Sequence, residues 1–148
     1  MVAKYDRHGV RFMYPENWSI QEDEPDSDVH CITLQSPGSG FWLLQILESP
    51  EMVEGLATET LSSMKQDYED VEVDDAEEEI LGISMTGYDL QFYCLDFLVS
   101  AHLRTFPLGD RACVLLSQAE DNEYDKIAPV FKAITASLIQ EAECEHTG

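Results

Sequence analysis

Residues 29–51 read VHCITLQSPGSGFWLLQILESPE, and the class of fold turns on how this stretch is parsed. Val29 to Gln35 and Phe41 to Glu48 are rich in β-branched, aromatic and aliphatic residues, and both have strand length. Ser36, Pro37, Gly38, Ser39 and Gly40 supply the loop chemistry of a hairpin between them, which makes the two strands antiparallel. The run from Phe41 to Leu47 is apolar at both alternating sets of positions, so both of its faces are covered and the strand is central. A helix start follows at once, with Ser49 as N-cap, Pro50 at the first helical position and Glu51 beside the positive end of the dipole. From Pro50 to about Tyr68, a stripe of Val53, Leu56, Ala57, Thr60, Leu61, Met64 and Tyr68 recurs at three and four residues and predicts a sheet-packing face. A hairpin feeding directly into an amphipathic helix points to an α+β fold, an antiparallel sheet flanked by helices in an α/β/α sandwich.

Towards the N-terminus, Val10, Phe12 and Tyr14 alternate before a turn at Pro15 to Asn17, and Trp18 to Ile20 opens a second run. Gln21 to Asp28 reads as a polar loop, because its crowded carboxylates and Pro25 oppose regular structure. Past the helix, nine acidic residues lie between Asp67 and Glu79, and Asp70 to Asp74 alternates acid with valine. That pattern predicts an edge strand whose charge discourages pairing with another chain. Three more strands are predicted at Tyr88 to Phe97, Val99 to Phe106 and Arg111 to Ala119, with a turn at Pro107 to Asp110. The closing helix, Asn122 to about Ala142, carries Tyr124, Ile127, Phe131, Ile134 and Leu138 on one stripe. Pro129 interrupts it, which places the regular helix from about Ala128 and leaves Asp121 to Ile127 as a lead-in. The polar stretch 141–148 is expected to fray, and residues 1–148 form one domain without repeats or linkers.

Two of these segments resemble the PsbP-like superfamily, which includes the photosystem II extrinsic protein, the Ran-binding Mog protein and bacterial domains of unknown function. The first runs from Gly9 through Val10, Phe12, Tyr14 and Pro15 to Trp18, similar to the family's glycine, apolar strand, tyrosine-proline turn and tryptophan. The second is Tyr124 through Pro129, Phe131, Ile134, Ser137 and Leu138, similar to its closing helix, with leucine at 138 where the family often has phenylalanine. With the matching order of elements, the resemblance spans nearly the whole chain. It implies fold, and a role in binding or assembly without catalytic residues; it carries over no functional residue.

The charge balance narrows the partners. Thirty acidic residues face 8 Lys and Arg, for a net charge of -22. Nucleic acid and anionic membrane surfaces are disfavoured, since both demand a basic face. Many carboxylates serve solubility, or recruit a protein with a basic or amphipathic segment. The N-terminal MVAKYDRHGVRF contains no long apolar run, which gives a cytoplasmic location as the expectation.

Motifs for catalysis and cofactors are lacking: GxSxG and HExxH do not occur, and Gly38-Ser39-Gly40 has neither the lysine nor the following helix of a phosphate loop. No catalytic residue and no cofactor are therefore expected. Cys31, Cys94, Cys113 and Cys144 are scattered and read as reduced thiols. Cys94, His102 and Cys113, one on each of three successive strands, are the best candidates for a soft metal; His30 with Cys31 and Cys144 with His146 are weaker. Asp70, Glu72, Asp74 and Asp75, and Asp121, Glu123 and Asp125, offer oxygen ligands to calcium without the glycine and distal glutamate of an EF-hand. For a protein partner the candidates are Glu72 and Asp74 on the acidic strand, with Phe41, Trp42, Tyr88, Phe92 and Tyr93 as aromatic groups that are either core or contact surface.

Overall fold

A computed structural model describes residues 1–7, 9–23 and 29–147, with the backbone alone for 143–147. Among the described residues the elements are nine strands and two α-helices: β1 (Val2–Arg7), β2 (Val10–Pro15), β3 (Ser19–Glu22), β4 (Val29–Gln35), β5 (Phe41–Leu47), α1 (Val53–Asp67), β6 (Glu72–Ile80), β7 (Ile83–Cys94), β8 (Phe97–Leu108), β9 (Arg111–Glu120) and α2 (Asp121–Thr147). β1 and β2 form a separate hairpin, and the other strands make one sheet in the order β3-β4-β5-β9-β8-β7-β6, antiparallel throughout. The chain leaves β5, crosses the sheet as α1 to the far edge, and returns strand by strand until β9 pairs with β5. This is the expected α+β sandwich, with β5 inside the sheet and the acidic β6 at an edge.

Two apolar layers hold it together. On one side α2 lays Ile127, Phe131, Ile134 and Leu138 over Ile32, Leu34, Trp42, Leu44 and Leu115, and the β1–β2 hairpin adds Tyr5, Val10 and Phe12 to the same layer. Trp42 is fully buried there, and its indole N–H donates to Thr135 Oγ1 on α2 at 3.0 Å. On the other side Leu47, Leu90, Phe92, Ala101, Leu103 and Val114 meet Met64 of α1.

Several local expectations are corrected. The polar stretch from Gln21 is strand through Glu22, because Gln21 and Glu22 pair with Thr33 and Ile32; residues 24–28 lie outside the described set. Pro50–Met52 is a short 3-10 turn ahead of α1, and Ser49 closes it through its carbonyl, which accepts from the Met52 N–H at 3.1 Å, not through a side-chain cap. The strand expected at Tyr88 to Phe97 starts earlier, at Ile83, and ends at Cys94, where a two-residue turn at Leu95 and Asp96 leads into β8. Pro107 belongs to β8, leaving Gly109 and Asp110 as the turn. α2 begins at Asp121, so Pro129 stands inside a continuous helix. Pro129 is exposed, as is Asp125 one turn earlier, so the break in the hydrogen-bond ladder falls on the solvent side of the helix. The helix also continues past Ala142 to Thr147 through the helix formers Glu141, Ala142 and Glu143.

Candidate functional site

The polar groups that fold together lie on the α2 side of the β6–β7–β8 end, beyond the apolar layer. Side chains alternate along strands. Given the pairs Glu72 with Gln91 and Asp74 with Asp89, and Asp89 with His102 and Gln91 with Ser100, these residues share one face. Glu78 belongs to it too, since Arg104 bonds both Glu78 and Asp89.

Arg104 organises this face. It is 6% exposed, and it donates to Glu78 at 2.6 Å, Asp89 at 2.7 Å and the Tyr88 and Leu103 carbonyls at 3.1 Å each. Burial opposes its charge, but the bonds it donates to the two carboxylates outweigh that and raise its pKa. Its guanidinium is consumed by this clamp across β6, β7 and β8, so it does not offer itself to an anion. Gly87 allows the strands to approach, because a β-carbon there would fall into the Leu103 carbonyl.

His102 lies beside Arg104's partners, with Nε2 3.7 Å from Asp89, and its ring rests on Tyr124 of α2 at 4.7 Å between centroids. Burial, with help from the Arg104 charge and against Asp89, lowers the His102 pKa, which leaves the imidazole neutral at pH 7. Tyr124 pairs its hydroxyl with Ser117 at 3.3 Å, and burial pushes its phenol up to about 12. Two clefts between α2 and the sheet, of about 210 and 620 Å³, share His102, Tyr124, Ala128 and Lys132. Gln91, Ser100 and Asp121 line the outer one, where Ser100 donates to Asp121 at 2.8 Å. Asp89, His102 and Ser117 thus sit in one cross-strand row in the order acid, base, hydroxyl. The hydroxyl is engaged by Tyr124.

At the end of these strands the β7–β8 hairpin reaches solvent. Its tip carries Tyr93 at 62%, Leu95 at 90% and Phe97 at 57% exposure. Glu72 and Asp74 are exposed on the neighbouring edge strand. Glu72, Asp74 and Tyr93, candidates on separate grounds in the sequence, all lie on the face that Arg104 organises; Leu95 and Phe97 are not among the candidates, because the predicted strand runs through the turn.

The other candidates are sorted by burial. Trp42 and Phe92 are core residues at 0% and 1% exposure and cannot reach a partner. Their strands are central or covered by a helix, which is why large aromatics there are buried. Tyr88 is half-buried on the α1 side, in a different cleft of about 250 Å³ with Glu54, Asp75 and Glu77. The soft-metal trio is not brought together. Cys94 packs in the α1 layer while Cys113 is buried in the α2 layer. His102 is four residues along β8 from Phe106, the neighbour of Cys113, a separation of roughly 13 Å. Burial also pushes the Cys113 thiol up to about 12, far from the thiolate a metal requires. Asp121 and Glu123 are occupied as well: Glu123 accepts from the Ser39 N–H and hydroxyl, pinning the β4–β5 loop. Among the described residues no group of three or more His, Cys, Asp or Glu is placed to hold a metal ion. The side chains of Cys144 and His146 lie outside the described set.

No family model matches the sequence, and no curated protein matches it. Solved structures do match in shape. Cyanobacterial PsbP (CyanoP) from Synechocystis superposes with a TM-score of 0.63 at 13% identity, over 92% of this chain and 90% of its own. PA94 from Pseudomonas aeruginosa, a protein of unknown function, gives 0.51 at 12% over 93% and 95%. LpqN, involved in cell envelope biogenesis of Mycobacterium tuberculosis, gives 0.51 at 12% over 90% and 87%. The likeness to CyanoP extends along nearly the whole of both chains, and the fold of this protein is PsbP-like.

Proposed function

We propose that this domain is a non-catalytic module that binds another protein, in the manner of an assembly factor or chaperone, and that the bound segment is basic and amphipathic. The observation that carries the reading is the apolar hairpin tip, Tyr93, Leu95 and Phe97, exposed at the end of the strand pair whose edge strand carries the carboxylates of Glu72, opposite Gln91, and of Asp74, further along. Apolar contact supplies affinity, and the carboxylates supply selection for cationic partners. The net charge of -22 supports a protein partner over nucleic acid. No helix among the described residues is long and apolar enough to cross a membrane. The resemblance to a superfamily of mostly binding and assembly proteins supports the same reading, and a cytoplasmic setting goes with it.

The test is titration of the protein with a lysine-rich amphipathic peptide. Glu72→Lys combined with Asp74→Lys weakens binding about tenfold, and raising salt from about 50 to about 500 mM does likewise. Affinity indifferent to both changes sinks the reading. The non-catalytic half is checked separately with a fluorophosphonate probe: covalent labelling of Ser117 would overturn it.

A further inference from the structure

β7 passes into β8 through Leu95 and Asp96, since Cys94 and Phe97 are the last facing pair. Leu95 has a φ of 59°, in the region where a β-carbon crowds the backbone and glycine or asparagine is the usual occupant. Its side chain is 90% exposed. A leucine here is unfavourable twice over, as strained backbone and as apolar surface in water, and at that exposure little of its side chain is packed against the described residues. Strand alternation puts Tyr93 on the α2 side and Phe97, facing Cys94, on the α1 side. The tip is therefore an apolar wedge with Leu95 along its edge. Carboxylates border it: Asp96 in the turn itself, and Glu72 opposite Gln91, two residues from Tyr93. A helix with a leucine stripe flanked by lysine or arginine is complementary to that arrangement in both polarity and charge. A second copy of this chain is not, because each copy carries a net charge of -22.

We infer that the strained turn exists to present Leu95 as the anchor side chain for a basic amphipathic helix of another protein, seated as a knob between that helix's leucines. The inference rests on the partner-binding reading above and adds the side chain that carries it and the helical form of the bound segment.

The experiment titrates the protein with two labelled peptides of leucine and lysine, each about 18 residues long, one with its leucines on a single helical face and the other a scrambled isomer. Fluorescence anisotropy reads binding. The wild-type protein prefers the one-faced isomer. Leu95→Gly raises the melting temperature, because glycine accepts the turn, yet weakens binding of that isomer about tenfold or more. Leu95→Gly binding within about twofold of wild type would overturn the anchor and leave the binding reading standing. A wild-type protein that binds neither isomer at low salt overturns that reading as well. A lowered melting temperature for Leu95→Gly would remove the strain argument. A wild-type dimer in sedimentation that dissolves in Leu95→Gly would make the occupant a second copy and overturn the inference.

Discussion

Replacing Arg104 by lysine keeps the charge and removes the fork. The guanidinium bonds two carboxylates and two backbone carbonyls from a single buried position, and an ammonium cannot reach all four. Glu78 and Asp89 are 37% and 45% exposed, so water compensates them in part. Arg104→Lys is expected to lower unfolding stability by about 2 kcal/mol in urea titrations; a cost under about 0.5 kcal/mol would mean the clamp is not structural. Nothing in the sequence around Arg104 marks this role, because Glu78 and Asp89 reach it only after two hairpins fold. Trp42 and Tyr93 make the same point about aromatics. Both sit in strands with apolar neighbours, but Trp42 lies under α2, whereas Tyr93 lies at the hairpin end of β7, on the opposite face from its buried neighbour Phe92. Leu95 was hidden for a different reason: Leu-Asp carries no glycine or asparagine to announce a tight turn.

The β1–β2 hairpin is an element that the sequence half concealed. Its second strand alternates clearly, but in β1 only Tyr5 is buried, so the pattern there is too thin to read. Tyr5 also ties the hairpin to the main sheet. Its hydroxyl donates to Glu22 Oε1 on β3 at 2.8 Å, and His30 Nε2 on β4 lies 2.7 Å from the same oxygen, while Arg7 reaches Oε2 at 3.3 Å. Burial pushes the Glu22 carboxyl up, but the hydrogen bonds from Tyr5 and His30 outweigh it and hold the group below its ordinary value of 4.5. A carboxyl depressed in the folded state contributes stability above its unfolded pKa and loses it as pH falls through the lower folded value. Glu22→Gln should therefore cost about 1–2 kcal/mol at neutral pH. The gap between variant and wild type should narrow as pH falls below the ordinary carboxyl value of 4.5 and through the lower folded one. Urea midpoints of both proteins at neutral and acid pH decide it; a gap that persists in acid would place the loss in packing instead. The elements legible from the start, β4, β5, α1 and the acidic edge strand, are those where period and punctuation agree. α2 was misjudged at its start because the proline rule assumes a buried or strained site, and Pro129 faces water.

For the molecule as a whole, folding gathers 30 acidic residues against 8 basic ones onto one small surface, and this repulsion is partly relieved when the chain expands. Added salt screens it. The free protein should therefore gain stability between about 20 and about 500 mM salt, on the order of 1 kcal/mol, which for a domain of this size raises the melting temperature by about 3 °C. Binding to a basic segment responds in the opposite sense, since the same ions screen the attraction between Glu72, Asp74 and the partner's cations. The two slopes separate recognition from integrity: a complex that weakens with salt while its free components become more stable has lost a charge contact, not a fold. Apolar contact at Leu95, Tyr93 and Phe97 is insensitive to screening, so the salt dependence should level off at a residual affinity instead of falling to nothing. Differential scanning calorimetry of the free protein and anisotropy of the peptide complex across one salt series provide the check. Melting temperatures that fall with salt would mean that the ion pairs around Arg104 and Glu22 outweigh the repulsion among the remaining carboxylates.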